Sequence, residues 1–147
     1  MMAVGAVTCI ESGTQADSDD DATSITGSEQ DDILSGTLGP DDLNGGAGDD
    51  QLGGYDGDDT IDGGTGNDDM HGADGDGTLL GSDGEDTLHG EAGNDMLFGG
   101  DDDDTLYGNN SNDTMHGGAG DDALQGSAGD DNLSGDLGAD ALQGGVD

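Results

Sequence analysis

The 147-residue chain has no lysine and no arginine to set against 37 aspartates and glutamates, a formal charge of −37. With no basic side chain, nothing can neutralise phosphates, so nucleic acid is excluded as a partner. No Lys or Arg ion pair can offset the self-repulsion that opposes compaction. One cysteine, Cys9, allows no internal disulfide. Together with only three histidines it leaves no donor supply for an array of soft-metal sites. Long apolar runs are missing too: Met1 to Ile10 is a brief apolar stretch, too short to span a bilayer, and no basic segment precedes it, so a standard secretory signal is not demonstrated. There is no His-Glu-x-x-His, no Gly-x-Ser-x-Gly and no Cys-His pairing at useful spacing. Paired acids such as Asp49 and Asp50 recur along the chain, so none stands out as an acid–base couple, and the chain reads as non-catalytic.

What is present is a single phrase. From Gly27 the sequence repeats Gly-Gly-x-Gly-x-Asp-x-(Leu/Ile/Met)-x thirteen times without insertion or deletion, and a fourteenth copy breaks off at Gly144-Gly145-Val146-Asp147. Column one is Gly in all thirteen copies, and column four is Gly except at Gln30, Asp102 and Ser111. Column six is Asp32, Asp41, Asp50, Asp59, Asp68, Asp86, Asp95, Asp104, Asp113, Asp122, Asp131 and Asp140, with Gly77 the one exception. Column eight is aliphatic throughout: Leu34, Leu43, Leu52, Ile61, Met70, Leu79, Leu88, Leu97, Leu106, Met115, Leu124, Leu133 and Leu142. A unit this small cannot bury its own core and must stack on its neighbours, which is the mark of a solenoid.

Glycine is expected where the chain turns with positive φ. The aliphatic column lies in a three-residue stretch alternating polar, apolar, polar, a very short strand with one side chain inward. Helix is excluded, because Gly costs about 1 kcal/mol per helical position and apolar residues spaced by nine draw no stripe at a 3.6 period. Each repeat therefore reads as a six-residue turn followed by a strand, and two repeats make one coil of an all-β parallel β-roll with consecutive strands on opposite sheets. An Asp- and Gly-rich run is most often a solvated low-complexity segment. Such a segment has no reason to hold an aliphatic column in phase over 117 residues.

The copies from Gly45 to Gln143 resemble the repeats-in-toxin (RTX), or hemolysin-type, calcium-binding nonapeptide, and the resemblance covers residues 27–147. It implies a right-handed parallel β-roll with calcium ions in the turns, each ion held by column-six carboxylates and turn carbonyls between a turn and the next on the same edge. Carried over, the twelve column-six aspartates would be the metal ligands, with Asp50 sharing an ion with Asp68 and Asp122 with Asp140. Calcium accepts six to eight oxygen ligands in forgiving geometry, which a Gly-rich turn beside a fixed carboxylate can offer. Pairing turns two repeats apart gives eleven sites; Gly77 weakens the two facing Asp59 and Asp95 and leaves nine with both carboxylates. One buried aliphatic per nine residues offsets little of the backbone entropy lost on folding, so ion binding is expected to drive folding. The expectation is an acidic disordered coil without calcium and a roll with it.

The outward columns carry weaker signals. His71, His89 and Tyr107 fall in one ladder, and Leu80, Phe98 and His116 in another on the opposite sheet. They read as a zinc or pH-sensitive patch or a partner-docking strip, or, as the favoured alternative, as ordinary ladder packing on an exposed face. Thr60 over Thr78 and Thr87 over Thr105 are ordinary β-branched ladders; Asp69, Met96 and Ala123 spoil the flat Thr array that ice binding would need. The Asn109-Asn110-Ser111 and Asn112-Asp113-Thr114 matches to the glycosylation pattern fall in a turn and are read as accidental. An EF-hand fails at Asp17, Asp19 and Asp21, where Ala22 replaces the required Gly.

The chain divides into residues 1–26, an apolar start and acidic disordered linker, and residues 27–147, the roll. Met1 to Ile10 reads either as the tail of a longer anchor or as a frayed terminus. The C-terminal cap and type I secretion signal that RTX-like chains usually carry are not recognisable, and the last coil is expected to fray. Three functions remain open: a calcium-dependent folding module of an exported or cell-surface bacterial protein, placed outside the cell; a non-catalytic appendage of a secreted enzyme or toxin; or an adhesin or surface-matrix component that meets its partner through an outer sheet face.

Overall fold

A computed structural model of the protein describes residues 22–145. Met1 to Ile10, Cys9, the acidic stretch through Asp21, and Val146 and Asp147 lie outside the described residues. The structure contains fourteen strands: β1 (Thr23–Thr26), β2 (Ile33–Ser35), β3 (Asp41–Ala47), β4 (Gln51–Asp56), β5 (Thr60–Thr65), β6 (Asp69–Asp74), β7 (Thr78–Asp83), β8 (Thr87–Ala92), β9 (Met96–Asp101), β10 (Thr105–Asn110), β11 (Thr114–Ala119), β12 (Ala123–Ala128), β13 (Asn132–Leu137) and β14 (Ala141–Gln143).

The strands sort by parity. Odd-numbered strands form one seven-stranded sheet and even-numbered strands the other, each in sequence order. All pairings are parallel, and the partner of every residue lies eighteen positions away: Leu43 pairs with Ile61 and Ile61 with Leu79 in one sheet, Leu52 with Met70 and Met70 with Leu88 in the other. Two nonapeptides therefore make one coil, and seven coils make a parallel β-solenoid, the expected β-roll. Among the described residues, no helix is long and apolar enough to cross a membrane.

The core is a file one side chain wide. Eleven consecutive members of column eight, Leu34 to Leu124, are buried, alternating between the two sheets as they ascend. Ile25 and Leu133 pack on its ends. Ile25 stands nine residues before Leu34 and pairs with Leu43, so the roll begins with β1, inside the stretch read from sequence as linker. At the other end β14 still pairs with β12, yet Leu142 is 47% exposed, with no further coil over it among the described residues.

Two sequence expectations are corrected. Strands β4 to β13 are six residues long and β3 seven, not three, because pairing resumes in columns two and three: Gly46 pairs with Gly64 and Ala47 with Thr65. Positive φ falls in columns two and four, not in the invariant column one. In column two it is adopted by Tyr55, Ala73, Ser82, Glu91, Asn109, Ser127 and Asp136, whose strain is held by the ladder bonds on either side.

Candidate metal centre

The column-one glycine is required by space. A Cβ on Gly45 would strike Oδ2 of Asp50 and come within 2.5 Å of the Gly63 carbonyl oxygen of the next coil. The same collision recurs at Gly36, Gly81 and Gly99, each time with its own repeat's column-six carboxylate and the carbonyl eighteen residues on. Every such turn therefore brings a carboxylate oxygen and a main-chain oxygen to one small space, with no room for a side chain.

The carboxylates are fixed by the backbone. Along one edge, Oδ1 of Asp50, Asp68, Asp86, Asp104, Asp122 and Asp140 each accepts the main-chain N–H of the residue eighteen before, at 2.7–3.1 Å. The other edge repeats this with Asp41 N–H to Asp59 at 2.8 Å, Gly77 to Asp95 at 2.7 Å, Asp95 to Asp113 at 2.9 Å and Asp113 to Asp131 at 3.0 Å. Gly77 has no carboxylate to receive the Asp59 N–H, so this edge is broken in the middle.

The second oxygen is the telling one. Oδ2 of Asp50, Asp59, Asp68, Asp86, Asp95, Asp104, Asp113, Asp122 and Asp131 is buried and has no hydrogen-bond partner. An uncompensated buried carboxylate oxygen costs several times what a typical hydrogen bond contributes. The first turn on each edge differs: Asp32 Oδ2 accepts from Ser28 N–H at 2.6 Å and Ser28 Oγ at 2.8 Å, and Asp41 Oδ2 from Thr37 N–H at 2.5 Å and Thr37 Oγ1 at 3.1 Å. Asp140, in the outermost coil, is half-buried.

Burial pushes eight of the column-six acids above their ordinary range, and neighbouring acids add like-charge repulsion, against the lowering effect of the N–H bond. Asp86 and Asp104 rise to about 7, Asp95 and Asp113 to about 6. Asp50, Asp59, Asp68 and Asp122 move in the same direction for the same first cause. Stacked carboxylates about 4.8 Å apart, each with an unused buried oxygen beside carbonyls, fit a hard cation that takes only oxygen. They offer nothing to a metal that asks for nitrogen or sulfur.

A second ladder, in column five, went unread in the sequence. Oδ1 of Asp31, Asp49, Asn67 and Asp103 accepts the N–H of the residue eighteen ahead, at 3.1, 2.9, 3.1 and 2.7 Å, and Asp58, Asp76, Asn94 and Asn112 do likewise on the other edge. The available signal was composition: column five accepts Asp and Asn alike, whereas column six never holds Asn. An amide oxygen serves as an acceptor; only column six demands the charge.

The predicted outer ladders form. His71, His89 and Tyr107 stack at 4.6 and 4.7 Å, and Phe98 and His116 at 5.4 Å. Burial, and then His71, lowers the His89 pKa. Column-two side chains reach column nine of the preceding coil: Ser82 Oγ donates to Asp62 Oδ1 at 3.1 Å, and Glu91 Oε1 lies 2.9 Å from His71 Nδ1.

Fold and site together define a class: a parallel β-solenoid whose turns line both edges with buried, oxygen-only sites. Six overlapping stretches spanning residues 17–142 match the RTX calcium-binding nonapeptide repeat (4 copies), and the chain belongs to that family. No curated protein matches the chain. Membership makes residues 17–142 a calcium-binding repeat module.

Proposed function

We propose that the calcium ligands are the column-six aspartates Asp32, Asp41, Asp50, Asp59, Asp68, Asp86, Asp95, Asp104, Asp113, Asp122, Asp131 and Asp140, each ion lying between turns eighteen residues apart. Nine positions have a carboxylate from both turns, and the two beside Gly77 have one and bind weakly. The observation that carries this reading is the row of nine orphaned, buried Oδ2 atoms, each on a carboxylate that its N–H bond has already aimed. An ion replaces the missing partner and cancels the stacked charge, so binding free energy becomes folding free energy. The module then folds where calcium is plentiful and stays open where it is scarce. That behaviour suits a segment that leaves a bacterial cell as a chain and folds outside, in a secreted or surface protein; the usual export of RTX proteins supports the reading.

Circular dichroism during a calcium titration of the full chain, with calorimetry for stoichiometry, tests it. Strand signal should rise cooperatively with about nine or more ions bound. Strand signal already complete in excess chelator would sink the proposal.

A further inference from the structure

A different metal chemistry is assembled on the outer face of the even-numbered sheet. Asp69 and His71 stand two apart on β6 and share a face; His89 on β8 pairs with His71, the two rings lying 6° from parallel. One ligand atom from each of the three lies within 4.8 Å of the others. His71 Nδ1 is 2.9 Å from Glu91 Oε1. An ionised carboxylate only accepts, so Nδ1 carries a proton toward Glu91 and Nε2 is the nitrogen left to face Asp69. Nε2 faces Asp69 Oδ1 at 3.4 Å, a contact made favourable by a proton on Nε2 or by a metal ion in its place. Ligands about 2.0–2.1 Å from a tetrahedral zinc ion stand about 3.4 Å from each other, so this pair already has the separation zinc requires. The His71 and His89 rings must turn out of their parallel stack for the His89 nitrogen to reach the same ion as the third donor. A carboxylate on the far nitrogen is also the device that fixes ring orientation in zinc sites and raises ligand basicity.

We infer that Asp69, His71 and His89 bind one zinc ion, with Glu91 orienting His71. The site is separate from the calcium edges in place and in donor type, since imidazole nitrogen favours zinc over calcium. The opposite sheet holds a natural control. His116 has the same clamp, with Nδ1 3.1 Å from Asp136 Oδ2, and stacks on Phe98. Thr114 stands where Asp69 would be and Ser134 where the second imidazole would be, so the clamp is there without the ligands.

Only three histidines exist, so their ring C–H resonances in proton NMR report the site directly. The full chain is titrated with zinc chloride in excess calcium, which holds the roll closed and occupies the acidic turns. The resonances of His71 and His89 should shift and saturate at one equivalent while those of His116 stay in place. By calorimetry His89→Ala and Asp69→Asn should each weaken zinc binding at least about tenfold, and Glu91→Gln about tenfold; His116→Ala should change nothing. Dichroism in calcium checks that each variant keeps its strand signal. The inference is overturned if all three histidines respond alike, if none responds, or if His71→Ala and His89→Ala, still folded, take up zinc as the parent does.

Discussion

The two edges of the roll are built from the same repeat, yet only one is continuous. Asp32, Asp50, Asp68, Asp86, Asp104, Asp122 and Asp140 stack along one edge without interruption; Asp41, Asp59, Asp95, Asp113 and Asp131 along the other are split by Gly77. The sheets above and below pass through this break unchanged. Thr60 still pairs with Thr78 and Thr78 with Met96, and Leu79 is as buried as its neighbours. The backbone ladder and the aliphatic file therefore do not depend on any single carboxylate. What the carboxylates add is local to the turn, and the edges separate the two contributions.

The largest effect should come from striking the two edges unequally. Asp86 faces carboxylates on both sides, whereas Asp59 has one at Asp41 and none at Gly77. Asn at either place keeps the acceptor for the N–H and removes the charge. A site held at calcium one hundred-fold above its dissociation constant stabilises the fold by about 2.7 kcal/mol, so Asp86→Asn should remove about twice the stability that Asp59→Asn does. Thermal unfolding in calcium measures both. In chelator the sign reverses, because each Asn relieves a buried charge. Equal losses from the two variants would show that the ions do not bridge coils.

Next in size is the space beneath the carboxylate. Gly45→Ala places a methyl group against Asp50 Oδ2 and the Gly63 carbonyl, which should cost about 1–3 kcal/mol by overpacking and abolish ion binding in that turn. Gly53, only eight residues on, has nothing within 4 Å of a Cβ, so Gly53→Ala should lie within about 0.5 kcal/mol of the parent. Calcium stoichiometry with melting temperature distinguishes the pair. If Gly45→Ala binds as many ions as the parent, the site is not where the oxygens converge.

Acid probes what the edges share. Asp86 and Asp104 rise to about 7 and Asp95 and Asp113 to about 6 in the folded chain, from an ordinary value of 3.8. The folded state therefore binds more protons than the open chain between about pH 4 and 7, and without calcium its stability increases as pH falls through that window. The contribution is complete below 3.8 and gone above about 7. With calcium the direction is opposite, since the ion needs the ionised form and competes with the proton. Strand signal in chelator should grow from pH 7 to pH 4, while the calcium midpoint rises on acidification. A flat chelator profile would mean that the buried acids do not oppose the fold.

Columns six and eight were legible because each carries one physical demand that one residue class meets, a buried charge at Asp50 or a buried aliphatic at Leu52. The coil of two repeats followed from the period, and the Asp50–Asp68 apposition from the coil. Column one was legible as a constraint but misread in cause: glycine there looks the same whether φ or volume demands it, and only the Asp50 oxygen in the way decides. Column two hid its positive φ because Tyr55, Ala73 and Glu91 occupy it. Those residues are tolerated through the ladder bonds around them, which no single repeat reveals. The column-five ladder was masked by its neighbour, since Asp49 and Asp50 look alike until one side chain is seen accepting from the coil ahead and the other from the coil behind.

Gly77→Asp is the gentlest of these changes and the one that would make the edges alike. Gly77 does not have positive φ, and a Cβ there meets Asp95 Oδ1 and Leu79 Cδ1 at 3.3 Å and the Asp59 carbonyl at 3.9 Å. The neighbours must yield by only a few tenths of an ångström. The new carboxylate would receive the Asp59 N–H, aim its second oxygen under Gly72 and complete the positions facing Asp59 and Asp95. In calcium the variant should bind two more ions tightly and fold at a calcium concentration about two- to threefold lower, because two of about eleven sites move from weak to strong. In chelator it should be no more stable than the parent, since it adds a buried charge to a chain that already carries too many. A gain in chelator would mean that the side chain fills space or satisfies the N–H, and that the break in this edge concerns packing, not ions.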